Sequence, residues 1–117
     1  MRHHESELQS ACVRWFRLQY RRYERLLFAV PNGSHRNRVT AAILKGEGVL
    51  AGVSDLILLI PNSEYTALCI EMKSGAGRQS DSQRQFQQAA ESVGNRYVVI
   101  RSFDEFKSEI DNYLRGL

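Results

Sequence analysis

Asp55, Glu71 and Lys73 are the residues through which this sequence is best equipped to do chemistry. Asp55 stands immediately before the apolar run Leu56 to Ile60. Pro61-Asn62-Ser63 then supplies a turn, and a second run from Tyr65 to Ile70 leads into Glu71-Met72-Lys73. Side chains at i and i+2 of a strand share a face, so Glu71 and Lys73 point one way while Ile70 and Met72 point the other. A hairpin through the turn brings Asp55 back toward Glu71. Two hard carboxylates beside an ammonium suit a divalent cation and a phosphate, because Mg²⁺ takes one or two carboxylates, keeps several waters and shares the substrate's phosphate oxygens. Mn²⁺ accepts the same oxygen donors. The backbone carbonyl of Met72, between the two projecting charges, is a further candidate ligand, and Glu5 can complete the outer shell through water. Lys73 is suited to orienting or helping to deprotonate a water and to stabilising charge that develops on phosphate. Alone, an Asp before a strand and a Glu-x-Lys are also ordinary strand-end charge, so the surrounding elements carry the decision.

Those elements read in the order α-β-α-β-β-α-β-α. The first helix runs from about Glu5 to Glu24, with Leu8, Ala11, Cys12, Trp15 and Phe16 as its apolar stripe. Glu5 projects about 55° from the centre of that stripe and Glu7 about 105° from it. Glu5 is therefore better placed to reach a cleft under the helix, with Gln9 one turn later in support, although an acidic first turn is also common for its own sake. A short strand, Leu26 to Val30, stops at Pro31-Asn32-Gly33, where proline ends pairing and Asn-Gly accepts a turn. The loop from Ser34 to Arg38 gathers His35, Arg36 and Arg38, which fit a phosphate-facing loop and equally a solvent loop. Val39 to Gly46 forms a short helix ending in Lys45, and Gly48 and Gly52 frame the approach to Asp55.

After Lys73, the pliable stretch from Ser74 to Ser80 carries Arg78. Ser80 followed by Gln83 resembles a capping box at the head of a helix over Asp81 to Val93. Gln83 is thereby placed near the helix entry, within reach of Lys73 or a substrate phosphate, or simply solvated. Tyr97 to Ile100 is the last strand, and a final helix carries Phe103, Phe106, Ile110, Tyr113 and Leu114. The pattern predicts a mixed central sheet with helices on its faces and a parallel crossover through the Asp81 to Val93 helix.

Composition narrows the class. The chain has 117 residues, 43% of them hydrophobic, which predicts one small domain over 1–117 with a single core. Sixteen Lys and Arg against thirteen Asp and Glu leave a net charge of +3, a balance that permits nucleic-acid binding without establishing it. Distribution says more: Arg14, Arg17, Arg21, Arg22 and Arg25 crowd one stretch, while acidic residues gather near the N-terminus, the proposed site and the last helix. No apolar run reaches the roughly 18 residues of a membrane span, and no apolar signal segment follows Met1, so a cytoplasmic protein is expected. Cys12 and Cys69, each among apolar neighbours, read as reduced core thiols rather than a zinc motif. The glycines do not form a GxxxxGK[ST] nucleotide loop.

The ordered set Glu5-Ser-Glu-Leu-Gln9, Pro31-Asn32-Gly33, Lys45 through Asp55, Glu71-Met72-Lys73 and Gly77 through Gln83 resembles the VRR-NUC family of the PD-(D/E)XK nuclease superfamily. The resemblance covers about residues 5 to 105. It implies an α/β fold with a restriction-endonuclease-like core, a central mixed β-sheet flanked by helices. It further implies a metal-dependent DNA phosphodiesterase using Mg²⁺ or Mn²⁺, with Glu5, Asp55, Glu71 and Lys73 at the family's acidic and lysine positions and Gln83 at its following glutamine. Glu7 is the alternative match for the N-terminal acid. Arg36, Arg38, Lys45 and Arg78 are the candidate DNA contacts. Ser54 stands where the family usually has proline. Small standalone members resemble phage or bacterial homodimeric endonucleases that act on branched DNA such as four-way junctions, which sets the expected partners as DNA and a second copy, with no membrane. A generic duplex or flap nuclease, a noncatalytic DNA-binding module and a small structural partner protein remain the alternatives.

Overall fold

The structure, a computed structural model, describes residues 2–31 and 38–117. Helix α1 (Arg2–Gln19) leads through a 3-10 turn (Arg21–Leu26) into strand β1 (Leu27–Ala29). Helix α2 (Arg38–Gly46), strands β2 (Leu56–Leu58) and β3 (Leu68–Met72), helix α3 (Asp81–Ser92), strand β4 (Arg96–Ile100) and helix α4 (Phe103–Arg115) follow. The four strands lie in chain order, β1 to β2 and β2 to β3 antiparallel, β3 to β4 parallel. This is the mixed sheet with flanking helices that the sequence predicts, and α3 is its crossover.

The alternation of side chains divides the core in two. Leu68, Ile70 and Met72 of β3, with Leu56, Leu58 and Ile100, face Cys12 and Phe16 of α1 and Phe106 and Ile110 of α4. Cys69 and Tyr97 face the other way, against Ala90 and Phe86 of α3. Every residue of β3 is buried, as a strand covered on both faces must be. Glu71 shares parity with Cys69 and so turns toward α3.

Most boundaries shift by one to three residues from the sequence reading, and two of the shifts have a visible reason. Helix α1 ends at Gln19 rather than Glu24 because Tyr20 leaves helical backbone, stacks on Phe16 and donates its hydroxyl to Asp111 of α4. Beyond it Arg21, Arg22, Glu24 and Arg25 are exposed, and Tyr23 and Leu26 pack on the core from a 3-10 turn instead of a continued helix. The second arm of the hairpin begins at Leu68 rather than Tyr65. Asn62 holds a broad turn open: its side-chain oxygen accepts the N–H groups of Glu64 and Tyr65, and its amide donates to the carbonyl of Tyr113 at 3.0 Å. Strand β3 then continues through Met72, so Glu71 lies inside the sheet rather than at its end.

Candidate active site

Register alone places the first pair of side chains. Leu56 pairs with Ile70, so Asp55, one residue before β2, comes beside Glu71 and Met72. There the Asp55 carboxylate accepts the N–H of Met72 at 2.7 Å, and its own carbonyl accepts the N–H of Val30 at 2.9 Å. Ser54 is fully buried and donates its hydroxyl to the carbonyl of Leu56 at 3.2 Å. That local bond steadies the turn where a proline would do so by fixing its own backbone angle.

Glu71 is 2% exposed and is held from two sides. The Gln83 amide donates to its Oε2 at 2.9 Å, and the Lys73 ammonium stands 3.8 Å from the same oxygen. Gln83 manages this by dividing its side chain. Its oxygen accepts the N–H of Ser80 at 2.8 Å while the Ser80 hydroxyl accepts the N–H of Gln83 at 3.2 Å, closing the capping box and leaving the amide nitrogen for Glu71. Gln83 thus contacts Glu71, a partner outside the three that the sequence offered, Lys73, a substrate phosphate or solvent. Gln83→Glu keeps the capping box but replaces that donor with a second carboxylate. We expect a cleavage rate about 10–100-fold lower, and a melting temperature that falls behind wild type as pH rises from 6 to 8.

At about 100° per residue, Glu5 lies within about 20° of both Cys12 and Phe16, the fully buried residues of α1. It is nearer the centre of the buried face than the sequence reading placed it, because Leu8, Ala11 and Trp15 are only half buried. Its carboxylate accepts the N–H and hydroxyl of Ser74 at 3.3 and 3.4 Å. Ser74, rather than Gln9, is its partner, and no sequence signal marked it beyond its place after Lys73. Glu7 is exposed, so Glu5 is the acid that faces the cluster.

The cluster is short of positive charge. Burial first, then Asp55 and Glu5, push the Glu71 carboxyl up from 4.5 to about 8 against the opposing pull of Lys73. Among the described residues no donor reaches its buried Oε1. Glu71 can share a hydrogen bond with Asp55 only while the Glu71 carboxyl holds its proton, so a proton there or a cation is needed to settle the pair. Among the described residues no group of three or more His, Cys, Asp or Glu side chains is arranged to hold a metal ion by itself. Two carboxylates flanking an unsatisfied oxygen nevertheless fit a cation that keeps most of its waters.

A glycine sets the distance between this pair and α3. Gly52 is buried at φ +92°, and a Cβ there would meet the Ser82 carbonyl oxygen at 2.4 Å. Ser82 adjoins Gln83, so Gly52→Ala must displace the helix entry that holds Glu71. We expect a loss of about 2–4 kcal/mol in urea denaturation, with reduced cleavage in the folded fraction. Gly46 and Gly48 meet nothing within 4 Å and play no such part.

A family model for the VRR-NUC domain matches residues 1–104. The chain belongs to the VRR-NUC family. A solved structure titled "VRR_NUC domain protein" is similar over 96% of this chain and 88% of its own, with a TM-score of 0.83 and 27% identity. No curated protein matches. The shared topology is that of the PD-(D/E)XK core, and family and fold together are those of a nuclease. For a VRR-NUC chain the remaining expected residues are spread more widely. Arg38 at the head of α2, Lys45 at its end and Arg78 in the crossover are exposed. Arg36 lies outside the described residues, as does the Asn32-Gly33 turn. The Met72 side chain is buried in the core, so only its backbone can serve a ligand.

Proposed function

We propose that residues 1–117 act as one nuclease domain that hydrolyses DNA phosphodiester bonds with Mg²⁺ or Mn²⁺. The observation that carries this reading is the Glu71 carboxyl, buried beside Asp55 with an oxygen that no donor reaches among the described residues and with the Lys73 ammonium 3.8 Å from its other oxygen. Such an arrangement costs stability in a purely structural protein and makes sense as a seat for a cation. Asp55 and Glu71 would hold it, with the Met72 carbonyl and, through water, Glu5. When bound, a divalent cation polarises the phosphate and lowers the pKa of a coordinated water.

The chain's own residues supply the rest. Lys73 directs the attacking water and stabilises the charge that builds on the phosphate oxygens as the new P–O bond forms and the ester P–O bond breaks. Gln83 fixes the Glu71 carboxylate, and the Met72 N–H fixes that of Asp55. Arg36, Arg38, Lys45 and Arg78 contact the DNA backbone, where Arg offers a fork of donors.

Branch selectivity, four-way junctions included, rests on the resemblance to small family members. A homodimer has support of its own. Val39 and Ile43 of α2 are 69% and 56% exposed, and Val49 and Leu50 just beyond it 44% and 59%, apolar side chains that a second copy would cover. Two sites related by a two-fold axis would then cut opposing strands.

Matched linear duplex, flap, splayed-arm and four-way-junction DNAs, incubated with Mg²⁺, Mn²⁺ or EDTA and with wild type beside Lys73→Ala, test the whole reading. Metal-dependent, Lys73-sensitive paired cuts on the junction support a dimeric resolvase. Equal cutting of every duplex keeps the nuclease and removes the branch preference, whereas binding without cutting leaves a DNA-binding module.

A further inference from the structure

Among the described residues strand β4 closes the sheet on one side and is paired only with β3. The hydrogen bonds between the two strands fix which of its backbone groups remain. The Arg96 N–H donates to the carbonyl of Ala67, and the Ile100 carbonyl accepts the N–H of Lys73, both at 3.0 Å. Arg96, Val98 and Ile100 therefore turn their backbones to β3, and by alternation Tyr97 and Val99 turn N–H and C=O toward the open edge. Such an edge is a template for another strand unless it is covered or blunted. Beside it runs a groove of about 510 Å³, floored by Val98, Val99 and Ile100 and walled by the outer side of α4.

Charge selects the occupant. The α4 wall presents Asp104, Glu105 and Glu109 with Ser108 and Asn112, and among the described residues no Lys or Arg lines the groove. On a chain of net charge +3 this is a local reversal of sign. A DNA backbone would be repelled there, and a second copy pairing edge to edge would set the same acidic wall against its own. Arg96 lies at one end and is taken up by Glu109 through two hydrogen bonds, at 2.5 and 3.1 Å, leaving Asp104 and Glu105 as exposed charges at the other.

We propose that the β4 edge and the α4 groove form a docking site for an extended, basic segment of a partner protein, which adds a fifth strand to the sheet. The added strand draws main-chain hydrogen bonds from Tyr97 and Val99. Its alternate side chains, Lys or Arg at i and i+2, lean toward the acidic residues of α4, while the intervening ones point to the α3 side. Docking here does not depend on the nuclease reading, since none of these residues belongs to the Asp55 and Glu71 cluster.

The test uses the whole chain and a labelled peptide in which Lys alternates with Thr or Val, followed by fluorescence anisotropy. Controls are the same peptide with Glu for Lys, and one N-methylated at the edge-facing amides. The expected result is saturable binding of the Lys peptide that weakens at least about ten-fold with either control, and with Asp104→Lys combined with Ser108→Lys. Cleavage by that variant should be unchanged, and the amide protons of Tyr97 and Val99 should exchange more slowly when peptide is present. Binding that ignores N-methylation or the α4 variant would place the peptide elsewhere and overturn the proposal. So would an absence of binding, or protection of Tyr97 and Val99 by self-association without peptide.

Discussion

Glu71→Gln is expected to reduce metal-dependent cleavage by about 10³-fold or more while raising the melting temperature of the metal-free protein at pH 8. The two effects have one cause. In the metal-free fold the Glu71 carboxyl titrates near 8, against 4.5 for an ordinary Glu, because burial and the carboxylates of Asp55 and Glu5 oppose its charge. Between those values the folded protein holds a proton that the unfolded chain releases. The stabilising contribution of protonated Glu71 is therefore complete below about pH 4.5 and is lost as pH rises through about 8. An amide removes that loss. Its N–H₂ can donate to Asp55 as the protonated carboxyl does, and its oxygen can still accept from Gln83. The gain at pH 8 should be on the order of 1–3 kcal/mol, roughly 4–10 °C in melting temperature, and should vanish near pH 4.5. Wild type should in turn be stabilised by Mg²⁺, and the variant much less so, since a ligand stabilises only what binds it. Asp55→Asn should lose cleavage to a similar extent; unchanged cleavage in that variant would sink the proposed site. Melts of both proteins with Mg²⁺ or EDTA across this pH range give the answer, and a Glu71→Gln protein no more stable than wild type at pH 8 would contradict the account of its carboxyl.

What the sequence disclosed follows from what is local. Strand alternation put Glu71 opposite Ile70 and Met72, and the capping pair Ser80 and Gln83 marked the head of α3, because both signals act between residues a few positions apart. The hairpin brought Asp55 to Glu71 through a register that one buried face fixes. Contacts between distant elements were not legible. Ser74 receives Glu5 across the packing of α1 on the sheet, and Gly52 meets Ser82 across the approach of a loop to α3. Neither pair leaves a periodic trace. The end of α1 is hidden in part for the same reason: Tyr20, where the helix stops, is held by Asp111, far along the chain. The division of labour in Gln83 also needed coordinates, since a capping glutamine and a glutamine serving the site have the same spelling.

Lys73→Ala separates chemistry from assembly. The Lys73 ammonium is 3.8 Å from Glu71, too far for a strong hydrogen bond, and its side chain is 14% exposed. It therefore stabilises the carboxylate pair through its charge while keeping donors to offer the substrate. Removing it should leave Asp55 and Glu71 in place, because their positions depend on the Met72 N–H and the Gln83 amide. Metal affinity is then expected to change by less than about ten-fold, and to rise or fall only with the field that Lys73 contributed. Turnover should drop by about 10²–10³-fold, the usual cost of losing a donor aimed at developing charge. The loss should fall on kcat and kcat/KM together, since the interaction forms in the transition state. Isothermal titration with Mn²⁺ beside single-turnover cleavage distinguishes the cases. A variant that loses metal binding as fully as it loses cleavage would make Lys73 a structural counter-charge for Glu71 and return the question of the water's orientation to other groups.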